Sequence, residues 1–128
     1  MIKVNQLIRS FRHALRGVWV VFAHEQSFRL QAVIAVLVLV LAFGLGVSWL
    51  ELVILLFFIA FVLILELINS IFERIADVMK PRLHPVVRDI KDMMAATVLI
   101  GSFMAAVVGL VILGPRVLAL LGPYVILR

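Results

Sequence analysis

The chain has no cysteine, so a disulfide framework, a thiolate metal site and a cysteine nucleophile are all excluded. Charge is scarce as well. Only 15% of the 128 residues are Asp, Glu, Lys or Arg, against about 25% in an ordinary soluble domain. Acids are scarcer than bases, 7 against 12, which leaves a net charge of +5. What fills the chain is apolar: 66% of residues, more than a body of this size can hide in its own core. Disorder and a soluble nucleic-acid-binding domain do not fit that balance. The composition predicts an integral membrane protein.

Three long uncharged stretches carry the apolar residues. Leu30 to Leu50 holds no charge, Leu52 to Leu65 is wholly apolar and continues through Glu66 to Phe72, and Met93 to Gly114 is uncharged. About 20 residues of helix cross a hydrocarbon core of about 30 Å, and lipid leaves no partner for open backbone groups. The fold expected is therefore all-α, with transmembrane helices over 30–50, 52–72 and 93–114. Ser48, Trp49 and Glu51 mark a tight turn between the first two, with Trp49 suited to the interface. Gly114-Pro115 is expected to end the third, and the short apolar tail 117–127, broken by Gly122-Pro123, to lie in the interface. The connector 73–92, with its two X-Pro pairs, is the only substantial polar region.

Orientation follows from the basic residues. Lys3, Arg9, Arg12, Arg16 and Arg29 precede the first span; Arg74, Lys80, Arg82, Arg88 and Lys91 lie between the second and third. Only Arg116 and Arg128 fall on the other side. The positive-inside rule predicts a multi-pass protein of a bacterial inner membrane, with the N-terminus and the 73–92 loop cytoplasmic. The first 29 residues are too long for the leading region of a signal peptide, and further spans follow. Within them Val4, Leu7, Phe11, Leu15, Val18 and Phe22 recur at helical spacing, with Arg9, Arg12 and Arg16 on another face. This predicts an amphipathic interfacial helix within 1–29.

The chemistry is concentrated on one stripe. Glu66, Asn69, Glu73 and Asp77 sit at i, i+3, i+7 and i+11, which places them on one helix face over about 16 Å. The stripe begins inside an apolar span, where an ionisable group is costly and marks function more often than packing. Carboxylates and an amide suit a hard cation such as Mg²⁺, whereas soft-metal ligands are missing. Glu25 stands at the same membrane level as Glu73, and Lys91-Asp92 borders the third span. Acids for a metal, a lysine for phosphate and a buried carboxylate for a base suggest phosphoryl transfer at the interface. No GxxxxGK[ST] loop, Gly-rich kinase loop or HRD motif occurs, and no serine has a triad arrangement with His and Asp. The alternative is a non-catalytic membrane protein, either a proton-conducting subunit with Glu66 on its path or an assembly subunit.

The run Glu66-Leu-Ile-Asn69-Ser70-Ile-Phe-Glu73, then Asp77, then Lys91-Asp92-Met-Met-Ala95-Ala96, resembles the signature of the prokaryotic diacylglycerol kinase family, which includes undecaprenol kinases. Ser10-Phe11, Ala14, Gly17 and Glu25-Gln-Ser-Phe28-Arg29 resemble its N-terminal helix, so the likeness covers roughly residues 7 to 113. It implies a membrane kinase moving the γ-phosphate of ATP to the hydroxyl of diacylglycerol or undecaprenol, in phospholipid or cell-envelope lipid recycling. On that pattern Glu66 is the general base and Asn69 supports it. Glu25 and Glu73 hold the Mg²⁺ of MgATP, while Lys91, Asp92, His84 and Arg82 contact nucleotide. Phe28 and Arg29 lie near the lipid entrance. The family works as a homotrimer with sites between subunits, and nucleic acid has no place in it. This chain departs from the pattern at Ile71-Phe72 beside the stripe, at His13 and at Gln31; none of these removes a catalytic group.

Overall fold

A computed structural model describes residues 4–78 and 85–125. They form four α-helices: α1 Val4–His24, α2 Gln26–Gly44, α3 Trp49–Val78 and α4 Pro85–Val125. The last three are long and apolar enough to cross a membrane. In α2 the apolar residues point all round, as expected of a helix surrounded by lipid and neighbours rather than by water.

The α1–α2 junction is an elbow at Glu25, whose backbone is extended (φ −101°, ψ 115°). Arg29 secures it: Nη1 donates to the carbonyls of Phe22 at 3.2 Å and Ala23 at 3.0 Å, two of the acceptors that a helix end leaves open. Phe28 is buried under the elbow and meets Phe22 edge to face, with ring centroids 6.5 Å apart.

At the opposite end α2 closes in a left-handed cap. Gly46 has φ +61°, its N–H donates to the Phe43 carbonyl at 3.3 Å, and the Val47 N–H reaches back to Ala42 at 3.2 Å. That pairing is a Schellman ending, and only glycine takes this φ without strain. Ser48 then opens α3 with a capping box. The Glu51 N–H donates to Ser48 Oγ at 3.4 Å, and the Ser48 N–H donates to Glu51 Oε2 at 2.7 Å. Around this end sits the small core of Ala42, Leu55, Ile112 and Leu113.

α3 is the spine. Leu55, Val62, Glu66 and Ser70, spaced by seven, four and four residues, form its buried face. α4 packs closely against it because Gly101 has no side chain: a methyl group there would run into Leu65 Cδ1 and stand 3.3 Å from Phe61 Cε1. Gly101→Val is therefore expected to push the helices apart and cost about 1–3 kcal/mol, read as a lower unfolding temperature in detergent. α2 meets α4 through a polar bridge, Gln31 Nε2 donating to Ser102 Oγ at 3.2 Å.

The third span does not end at Gly114-Pro115, contrary to the sequence expectation. α4 runs through both Gly-Pro pairs to Val125. A proline lacks the N–H that would bond the carbonyl four residues back, but neighbouring side chains make such gaps tolerable in apolar helices. The carbonyl that Pro115 leaves open is that of Val111; the bond seen is one residue on, where Arg116 Nη1 donates to the Ile112 carbonyl at 2.8 Å. The same guanidinium grips Glu51 with two contacts, Nη1 to Oε1 at 3.0 Å and Nη2 to Oε2 at 2.8 Å. Arg116→Ala is expected to lower the thermal stability of the detergent-solubilised protein without loss of helicity, read as a lower unfolding temperature with an unchanged circular dichroism spectrum. The 73–92 connector is also more helical than its prolines suggest: α3 continues to Val78 and α4 begins at Pro85.

Candidate active site

Three elements converge at the end of the bundle away from the Ser48 turn: the elbow with Glu25, the last turns of α3, and the first turns of α4. Glu66 is the deepest charged group among the described residues, 5% exposed. One turn on, Ser70 is buried too, and its hydroxyl donates to the Glu66 carbonyl at 2.9 Å. That bond occupies the serine with backbone and leaves the Glu66 carboxylate to other partners. Between them on the stripe is Asn69, whose buried Oδ1 accepts no hydrogen bond among the described residues. An acceptor buried without a donor is costly and awaits one.

Seven residues beyond Glu66, about 10 Å along the helix, α3 reaches a mouth of alternating charges. Lys91 Nζ of α4 stands 3.6 Å from Glu73 Oε1, and Arg74 Nη2 of α3 stands 3.6 Å from Glu25 Oε1. Both separations make ion pairs rather than hydrogen bonds, and all four side chains keep some contact with solvent. Two glutamates from different elements thus stand at this end of the bundle, each with a basic side chain beside it.

Among the described residues no three His, Asp or Glu side chains gather into a ready metal cage. The donors nevertheless suit Mg²⁺, which is commonly bound through one or two carboxylates plus substrate phosphates. A buried carboxylate beneath such a mouth can take a proton from a hydroxyl that enters from the apolar side, next to phosphates held from the polar side.

Not every residue singled out by sequence joins this arrangement. Glu25, Glu66, Asn69, Glu73 and Lys91 come together. Asp92 lies exposed beside Lys91, and Asp77 is exposed on the last turn of α3. Phe28 and Arg29 hold the elbow that carries Glu25. Arg82 and His84 lie outside the described residues. In the sequence Arg74 is only one of the basic residues of the 73–92 connector, and no local pattern points to its pairing with Glu25, 49 positions earlier in the chain.

The family model for prokaryotic diacylglycerol kinase matches residues 12–113, which takes in every element of this site. The chain belongs to that family. It is therefore a lipid kinase, a phosphotransferase with an alcohol acceptor. Among its relatives is an undecaprenol kinase of Bacillus subtilis, 31% identical over 89% of this chain and 93% of the relative. A diacylglycerol kinase of Haemophilus influenzae is 30% identical over 82% of this chain and 89% of its own. A diacylglycerol kinase of Escherichia coli is 28% identical over 85% and 89%. The kinase thus resembles enzymes named for two different lipid alcohols.

Proposed function

We propose that this kinase transfers the γ-phosphate of ATP to the hydroxyl of a membrane lipid, diacylglycerol or undecaprenol, at the mouth between the elbow, α3 and α4. Glu66 takes the proton of the lipid hydroxyl as its oxygen bonds to the γ-phosphorus. The bond from that phosphorus to the β,γ-bridging oxygen breaks, and ADP leaves. Asn69, one turn from the base, supports the arrangement around it. Lys91 and Asp92 contact the nucleotide, with Arg82 and His84 from the connector. Phe28 and Arg29, through the elbow, border the lipid entrance. Glu25 and Glu73 would hold Mg²⁺ with the phosphates, where its charge offsets theirs.

The observation that carries the reading is the depth order on α3: a buried carboxylate inside the apolar layer, a charged mouth about 10 Å further out. A lipid hydroxyl reaches the first from the bilayer and a nucleotide reaches the second from water. The mouth then faces the cytoplasm of a bacterial inner membrane, with α1 in the interface. Its basic side chains and the excess of Lys and Arg at this end support that orientation. A homotrimer with sites shared between subunits suits three spans that bury so little of one another, with a packed cluster of only four buried residues at the far end.

The test is transfer of label from γ-labelled ATP, with Mg²⁺, to diacylglycerol and separately to undecaprenol in mixed micelles. Labelled lipid from one acceptor names the branch. No labelled lipid from either, with folded protein, contradicts the proposal.

A further inference from the structure

Arg74 is the charged group at the mouth that the proposed reaction leaves without a task. It follows Glu73 on α3, so the two side chains leave the helix in different directions, Glu73 toward Lys91 and Arg74 toward Glu25. Each carboxylate proposed for Mg²⁺ therefore has its own cation, supplied by another element. The Arg74–Glu25 pair is not sealed. The arginine side chain is 44% exposed, the glutamate 25%, and their 3.6 Å separation is beyond a good hydrogen bond. Such pairs are weak and exchange readily.

A divalent cation arriving at Glu25 upsets this pair. Were Glu25 to hold Mg²⁺, the guanidinium beside the same carboxylate would face a dication. The guanidinium keeps its charge there, and the anion that arrives with the metal is the triphosphate. The planar guanidinium fork matches phosphate oxygens as it does carboxylates.

We propose that Arg74 is a nucleotide-phosphate ligand of this kinase, held at Glu25 until Mg²⁺ takes that carboxylate and then passed to the triphosphate beside it. The inference rests on the kinase reading of the mouth. It requires two effects of opposite sign: Arg74 opposes a bare divalent cation at Glu25, and favours the same cation when it brings ATP. An arginine that merely fastens the elbow to α3 would produce effects of one sign.

The experiment uses the full chain in detergent without lipid substrate, as wild type, Arg74→Ala, Arg74→Gln and Arg74→Lys, with helicity checked by circular dichroism. Mn²⁺ alone is titrated by electron paramagnetic resonance, and MgATP by equilibrium dialysis of labelled nucleotide. Arg74→Ala and Arg74→Gln are expected to bind Mn²⁺ several-fold more tightly and MgATP about tenfold more weakly. Arg74→Lys should recover part of the nucleotide affinity. Weakening of both ligands by a similar factor, or no change in either, overturns the assignment. Wild-type protein that binds no MgATP overturns the kinase reading of the mouth and this inference with it, and that result is seen before any variant is compared.

Discussion

Glu66→Gln is expected to reduce lipid phosphorylation by about 10²–10⁴-fold, the usual contribution of a positioned general base, while the protein folds as before. Glutamine keeps the size and shape of the side chain and can still hydrogen-bond, but it cannot accept the hydroxyl proton. Stability should not fall, because the change removes a carboxylate from a site that is 5% exposed and has no cation paired to it among the described contacts. MgATP affinity should stay near wild type, since the mouth lies about 10 Å further along α3. The measurements are the transfer rate at saturating MgATP, the unfolding temperature and nucleotide dialysis on one preparation. Near-normal transfer would remove Glu66 from the base role. Lost transfer with lost folding would assign it to packing.

The second large effect belongs to the mouth. Lys91→Ala should raise the KM for MgATP by about 10–100-fold, the scale of one or more hydrogen bonds to a charged phosphate, with little change in the KM for lipid. Glu73→Gln should raise it on a similar scale but through the metal, so that added Mg²⁺ recovers much of the loss. For Lys91→Ala extra Mg²⁺ should recover little. These opposite responses separate the partners of the 3.6 Å pair, which a single activity value would not do. If both variants respond to Mg²⁺ alike, the division of roles is wrong.

Much of this architecture was legible because the bilayer restricts what a chain can do. Uncharged stretches of span length have one stable form in lipid, and the structure has long helices at all three. The stripe from Glu66 to Asp77 was legible through the helical period alone. The Ser48–Glu51 capping box was also present as S-x-x-E, although the sequence reading took it only as a turn. Other features depend on contacts that local sequence does not encode. Gly114-Pro115 reads as a stop, yet α4 runs through it, with Arg116 just beyond holding Glu51 across the bundle. The charge pairs at the mouth join residues from the elbow, α3 and α4, and no spacing rule relates Glu25 to Arg74. The spacing also gave no means of choosing which acid acts as base; that assignment came from the family pattern, and the burial of Glu66 supplies its physical support.

The central claim is that a lipid hydroxyl, deprotonated at Glu66, takes the terminal phosphate of a nucleotide held at the mouth. The most direct measurement follows label from γ-labelled and, separately, α-labelled ATP into lipid, with wild type and Glu66→Gln side by side. Labelled lipid is expected from the γ-position only, formed by wild type and at most in trace by Glu66→Gln. Equal labelling by the two proteins, or no labelled lipid from folded wild type given diacylglycerol or undecaprenol, would contradict the claim.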